Sequence, residues 1–171
     1  MEPSIFITVL LVIAAIFAVG YLYTFFGEPT INITGPDQNA NKATTSLKIF
    51  FNNNKMDPEI SCNKVFPVER IVPQTQTPAT KALELLFEGP NASETEEGFF
   101  TSINPGVKIQ TLSIQDGVAK ADFDEQLEFQ VGGSCRVSAI RSEITETLKQ
   151  FPTVNSVIIS IDGRTEDILQ P

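Results

Sequence analysis

An uncharged apolar segment near the N-terminus constrains this chain more than any other feature of its sequence. It runs from Ile5 to Phe26 without an Asp, Glu, Lys or Arg. At about 1.5 Å per residue, a helix of this length spans the roughly 30 Å hydrocarbon core of a bilayer. The segment therefore predicts a signal-anchor transmembrane helix within residues 1–26. The alternative is a cleaved signal peptide, with the small residues at 18–20 as its cleavage site.

The cysteine content predicts on which side of the membrane the rest of the chain lies. Basic residues do not decide it, because the first one is Lys42. Cys62 and Cys135 are the only cysteines, and an even number is typical of domains outside the cytoplasm, where disulfides form. We therefore expect a single-pass protein of the cell membrane, with residues 27–171 outside and a disulfide between the two cysteines. Two free thiols are the alternative, expected in a reducing cytoplasm.

The composition argues against several classes of function. The chain has 12 Lys and Arg against 21 Asp and Glu, a formal net charge of −9. Binding to nucleic acid needs a basic surface that neutralises phosphates, so we expect no nucleic-acid partner. The chain has no His, which removes Ser-His-Asp and Cys-His catalysis and His-ligated zinc. We expect no cofactor, no metal site and no enzymatic activity.

The segment after the apolar run divides into a linker and a folded domain. Residues 27–45 are rich in Gly, Pro, Asn and Thr, which predicts a flexible linker. Residues 46–171 form the predicted domain, and its β-rich runs at 46–53 and 64–72 predict two strands. Between Thr77-Pro78 and Gly89-Pro90, apolar side chains predict a largely buried helix with the Thr77 hydroxyl as its N-cap.

A hairpin is predicted in the middle of this domain. Asp116-Gly117 is typical of a two-residue type I′ turn, and it joins two alternating runs at 107–114 and 118–124. The turn sets three facing pairs: Ile114 with Ala119, Leu112 with Ala121, and Gln110 with Phe123.

A second helix and a last strand complete the predicted order of elements. Apolar residues recur at steps of three and four from Arg136 to Phe151, which predicts an amphipathic helix. The run 157–161 predicts a buried strand. The order strand, strand, helix, hairpin, helix, strand predicts an α+β fold, a two-layer sandwich of a mixed or antiparallel sheet with two helices on one face.

Three segments of the domain, taken in order, resemble one known family. They are ALELLFEGP at 82–90, VKIQTLSIQDGVAKADF at 107–123 and SAIRSEITETLKQFPTVNSVIISIDG at 138–163. In these segments residues 46–171 are similar to the GerMN domain, also called the sporulation and spore germination domain. The resemblance implies a bacterial domain outside the cytoplasm that acts in binding or assembly, with no established catalytic residues. This chain has one copy of the domain, and a predicted transmembrane helix stands in place of a lipid-modified Cys.

Two groups of residues are candidates for chemistry. The second helix is preceded by Gly132, Gly133 and Ser134. Together with Arg136, the free N–H groups at the N-terminus of this helix are a candidate anion or partner contact. A plain N-terminal cap is the alternative. The acidic cluster, which we define as Asp122, Asp124, Glu125 and Glu128, is interpreted as a solvated strand end. Its functional alternative is an acid/base site. The acidic residues at 94, 96 and 97 predict a solvated face, and the two Phe at 99 and 100 predict core positions.

These features together predict a non-catalytic module of the bacterial cell envelope. We expect it to be anchored in the cell membrane through Ile5–Phe26 and to bind or assemble with an envelope protein or a cell-wall polymer outside the cytoplasm. The alternative is an enzyme that acts on cell-wall material through the acidic cluster near Asp122.

Overall fold

The computed structural model describes residues 43–59 and 61–170. The predicted transmembrane helix within residues 1–26, and most of the predicted linker at 27–45, lie outside the described residues. Within the described part, no helix is both long and apolar enough to cross a bilayer.

The described residues contain six strands, three α-helices and one 3₁₀ turn. In chain order they are β1 (Thr44–Asn53), β2 (Phe66–Pro73), α1 (Pro78–Glu88), α2 (Ala92–Glu96), β3 (Phe99–Phe100), β4 (Ile109–Gln115), β5 (Val118–Phe123), the 3₁₀ turn (Glu125–Leu127), α3 (Ser134–Lys149) and β6 (Ser156–Ile161). The predicted strands and the two predicted long helices are all present, with ends shifted by at most two residues. Helix α2, strand β3 and the 3₁₀ turn are additions to the predicted order.

The first sheet is antiparallel and has the order β2-β1-β3. Strand β1 buries the alternating side chains Leu47, Ile49 and Phe51, as the period-2 pattern predicts. Residues 44–51 of β1 face β2, and its last two residues face β3.

The second sheet is mixed and has the order β4-β5-β6. Strands β4 and β5 form the predicted hairpin, while β5 and β6 are parallel and are connected through α3. The predicted pairs of Ile114 with Ala119 and of Leu112 with Ala121 are confirmed. The prediction for Gln110 is wrong, because an irregularity between residues 109 and 111 places Ile109 opposite Phe123. This shift keeps the Gln110 amide at the exposed surface.

The described strands form two sheets where a single sheet was predicted. Strand β1 pairs with β2 over residues 44–51 and with β3 only at its last two residues. The N–H groups of Lys48 and Phe50 donate instead to the side chains of Gln150 and Thr147, at the C-terminal end of α3, so the hairpin does not pair there. Helices α1 and α3 pack on each other and contact both sheets, α1 through β1 and β4, and α3 through β1 and β6. The α+β class is confirmed, and one core joins both sheets to the helices.

Two local predictions are corrected. The Thr77 hydroxyl makes no capping hydrogen bond to α1; the Thr77 N–H instead donates to Thr75 Oγ1 at 3.2 Å. The helix still begins at Pro78, whose fixed φ suits the first helical position. Strand β6 is half buried where a buried strand was predicted, because Ile159 and Ile161 face the core while Ile158 is exposed.

Candidate functional site

The N-terminus of α3 carries one of the predicted contacts. Gly133 precedes the helix with a φ of 86°, a conformation that glycine adopts without strain, and Gly132 and Ser134 are exposed. The Arg136 guanidinium donates hydrogen bonds to three protein acceptors: Ser102 O, Gln130 O and Asn104 Oδ1, at 3.3, 3.3 and 2.7 Å. Arg136 therefore holds the neighbouring loops in place, and anion binding at this helix N-terminus stays a prediction.

The predicted disulfide between Cys62 and Cys135 is present. The Cα atoms are 4.8 Å apart, and the bond joins the β1–β2 connection to the first turn of α3. A cavity of about 260 Å³ lies beside it and is lined also by Asn52, Phe100 and Arg136. Within the described part, Asn52 Oδ1 is the buried side-chain polar atom that has no hydrogen-bond partner. Phe100 is exposed here, whereas Phe99 is buried as predicted.

The acidic cluster has structural partners in the hairpin and the C-terminal segment. Asp122 accepts hydrogen bonds from Ser160 Oγ at 2.5 Å and from the Gly163 N–H at 2.9 Å. Asp124 accepts one from the Lys108 N–H at 3.0 Å. Asp122 and Asp124 are thus partly buried rather than solvated, and they fasten the strand ends to neighbouring loops.

Glu128, the last residue of the acidic cluster, forms an ion pair with Arg164. Glu128 accepts hydrogen bonds from Arg164 and from the Leu169 N–H. The hydrogen bond from Arg164 to Glu128 is the main cause that raises the pKa of the exposed Arg164 guanidinium. Across residues 43–59 and 61–170, no group of three or more His, Cys, Asp or Glu side chains is arranged to hold a metal ion.

Glu143 is a fully buried carboxyl that the sequence analysis did not single out. It accepts hydrogen bonds from Thr101 Oγ1 at 2.5 Å and from the Ser102 N–H at 2.8 Å. Burial raises the pKa of Glu143 to about 7, and the two hydrogen bonds oppose that shift. The available signal was its position on α3, three residues after Ile140, within the apolar stripe. No solvent reaches this group, so it belongs to the core.

An open groove lies between α1 and β4, and we call it the α1–β4 groove. It consists of two adjoining pockets of about 560 and 240 Å³, which share Thr80 and Leu112 in their walls. Side chains that are partly buried against the core form its floor; these are Phe87, Ile109, Leu112, Ile114 and Phe151. Phe87 is fixed there by an edge-to-face contact with core Phe123, with the ring centroids 5.5 Å apart.

One side of this groove is an unpaired strand edge. Strand β4 is the first strand of its sheet and pairs only with β5 among the described strands. In a two-residue hairpin the residues next to the turn form a hydrogen-bonded pair, and such pairs alternate with pairs that are not hydrogen-bonded. Gln115 closes the hairpin with Val118, so the backbone N–H and C=O groups of Leu112 and Ile114 point away from β5.

The walls of the groove are charged unequally. Glu84 and Glu88 are exposed on the α1 wall, and Lys108 is exposed on the opposite wall. Glu84 accepts from Lys81 Nζ at 3.0 Å, with both side chains more than a third exposed. Glu88 takes part in no ion pair in the described part of the chain. The helix wall therefore offers an unpaired carboxylate to a groove occupant.

The domain can be placed among known proteins. A family model described as Germane, sporulation and spore germination, matches residues 48–167. No curated protein matches the chain. The tandem GerMN domains of the sporulation protein GerM from Bacillus subtilis superpose with a TM-score of 0.57 at 22% identity, covering 72% of this chain and 41% of that one. The first GerMN domain of the same protein gives 0.52 at 20% identity, covering 71% of this chain and 85% of that one. At this identity the likeness shows the fold, and this chain spans about two fifths of the tandem structure.

Proposed function

Because the chain belongs to the Germane family of sporulation and spore germination domains, we propose that it is a non-catalytic binding or assembly module of the bacterial cell envelope. In this proposal the apolar segment Ile5–Phe26 anchors it in the cell membrane as a single pass. The folded domain lies outside the cytoplasm, where it contacts an envelope protein or a cell-wall polymer.

The α1–β4 groove is the observation that carries the proposal. It combines an apolar floor with an unpaired strand edge, and both are features of surfaces that bind other chains. The disulfide between Cys62 and Cys135 supports the location outside the cytoplasm, since such bonds persist in oxidising compartments.

The alternative, an enzyme that works through the acidic cluster, lacks a comparable observation. Such an enzyme needs two carboxyl groups that face each other across a substrate cleft. Asp122 and Asp124 are instead hydrogen-bonded to loop and strand groups, and neither lines the α1–β4 groove.

Two measurements test this function. Protease added to intact spheroplasts should digest the domain, whereas protection until lysis would reject the location outside the cytoplasm. Chemical crosslinking in the native membrane, followed by mass spectrometry, should capture an envelope protein or wall fragments on the domain. If the protein, at its native expression level, gives only the products that also appear without crosslinker, a binding or assembly role is rejected.

A further inference from the structure

We propose that the α1–β4 groove binds an extended peptide segment of a partner protein, which adds as a strand to the free edge of β4. The peptide places alternate apolar side chains in the two pockets and a basic side chain beside Glu88. This inference rests on the proposed function, because it names the class of partner that the binding module takes.

The backbone of β4 supplies the main-chain recognition. The N–H and C=O groups of Leu112 and Ile114 point to the free side of the strand. These two residues are about 7 Å apart along a strand, which is the repeat of a two-residue step in a bound strand. An extended peptide can therefore pair with both residues at once, as in other complexes formed by strand addition.

The pockets supply the side-chain recognition. In a strand, successive side chains point to opposite faces, so every second side chain of an added peptide faces the core. The floor there is apolar and is divided by Thr80 and Leu112 into two pockets. Helix α1 has 11 residues and is about 16 Å long, which matches about five residues of extended peptide. The groove thus selects two apolar side chains separated by one or three residues.

The charge of the helix wall selects a basic side chain on the peptide. Glu88 is exposed and has no ion-pair partner among the described residues, and Glu84 lies one turn before it on the same wall. A Lys or Arg on the peptide would complement this wall. The net charge of −9 on the whole chain also favours the approach of a basic segment.

The edges of the other sheet are less suited to strand addition. Strand β2 contains Pro67 and Pro73, which have no backbone N–H to donate, and β3 is two residues long. Strand β4 has neither protection, and it is bordered by a groove.

Selection from a random peptide library tests the proposal with a defined probe. The full-length protein in detergent or nanodiscs is used to select displayed peptides of about ten residues, long enough to cover the groove. We expect enrichment of alternating apolar residues with a Lys or Arg. Enrichment of no pattern, or of acidic peptides, would overturn the proposal.

Matched variants then locate the binding of the selected peptide. Thr80→Trp fills the shared wall of the two pockets and should weaken binding about tenfold or more, equivalent to about 1.4 kcal/mol. Thr165→Trp makes the same substitution at an exposed position outside the groove lining; it is the control and should bind like the wild type. Equal binding by both variants, with unchanged melting temperatures, would place the peptide elsewhere.

Two further comparisons test the charge and the backbone pairing. Glu88→Lys should reduce the preference for basic peptides, while the exposed Glu166→Lys should not. N-methylation of the peptide amides that face β4 should abolish binding, because strand addition needs those donors. Undiminished binding of the methylated peptide, or a Thr80→Trp effect on self-association alone, would contradict the proposal.

The native membrane separates this inference from the proposed function. If crosslinking captures a partner equally on the wild type and on Thr80→Trp, the domain is a binding module but the groove is not its site. If crosslinking captures no partner on the wild type, the proposed function fails as well.

Discussion

Arg70 and Glu94 form an ion pair, with 2.6 Å between Nη2 and Oε2 and side chains that are 15% and 11% exposed. The same guanidinium donates to Leu85 O and Gly89 O at the end of α1 and lies over the Phe51 ring, 5.7 Å from its centroid. Glu94 also closes a capping box with Asn91 at the start of α2. One pair of charges therefore joins a strand to two helices.

Removing the carboxylate from this pair should destabilise the domain strongly. Glu94→Gln leaves the Arg70 charge without its carboxylate partner in a mostly buried site, and such losses cost about 3 kcal/mol. Urea unfolding of the variant should show this decrease in the free energy of unfolding. The neighbouring Glu96→Gln is the control, and as an exposed residue it should change stability by less than about 0.5 kcal/mol. Similar midpoints for the two variants would contradict the assigned role.

The buried carboxyl of Glu143 should make stability depend on pH. Its pKa of about 7 in the folded protein exceeds the ordinary value of 4.5, so the folded state holds the proton more tightly than the unfolded state. The stabilisation is fully present below about pH 4.5 and is lost as the pH rises through about 7, a decrease of up to about 3 kcal/mol. Unfolding of the wild type and of Glu143→Gln should be compared across this range. Parallel pH profiles would show that Glu143 does not titrate in this way.

Local signals explain why much of the fold could be predicted from the sequence. The turn residues Asp116-Gly117 fix the register that pairs Ile114 with Ala119 and Leu112 with Ala121. The Gly-Pro at 89–90 ends α1. The irregularity near Ile109 was not predictable, because residues 107–114 contain no Gly or Pro that would mark it. The division into two sheets was not predictable either, because it depends on contacts between distant segments: the β1 backbone donates to the side chains of Thr147 and Gln150.

The candidate site shows the same limit. Glu94 was predicted to be solvated because its neighbours in sequence are acidic, but its partner Arg70 is 24 residues away. The α1–β4 groove is built from a helix and a strand, and the residues that line both of its pockets, Thr80 and Leu112, are far apart in sequence. The helix and the hairpin were each predicted from the sequence, but the groove between them was not.

The disulfide should contribute a large part of the stability of the domain. Cys62 and Cys135 are separated by 73 residues, and closing a loop of that size restricts the unfolded chain by about 4 kcal/mol on the chain-entropy estimate. The double variant Cys62→Ser, Cys135→Ser should unfold at a correspondingly lower urea concentration. Alkylation of denatured protein from its native compartment, with and without reductant, measures the bond by mass. Two labelled thiols without reductant would reject both the bond and the location outside the cytoplasm.

Substitutions in the acidic cluster test whether it is structural or catalytic. Asp122→Asn weakens charge-assisted hydrogen bonds from Ser160 and from the Gly163 N–H, so it should lower the free energy of unfolding by about 1 to 2 kcal/mol. Glu125→Gln changes an exposed side chain and should have almost no effect on stability, which makes it the matched control.

Substitution of Asp122, Asp124 and Glu125 together should leave partner capture largely intact, since none of the three lines the α1–β4 groove. Capture is measured by crosslinking in the native membrane, at a temperature where the variant is folded. The same preparations are incubated with purified cell wall, and released fragments are measured by mass spectrometry. If the wild type releases fragments and the folded triple variant does not, the cluster is catalytic and the protein is an enzyme. Equal capture without release is the outcome that a binding module requires.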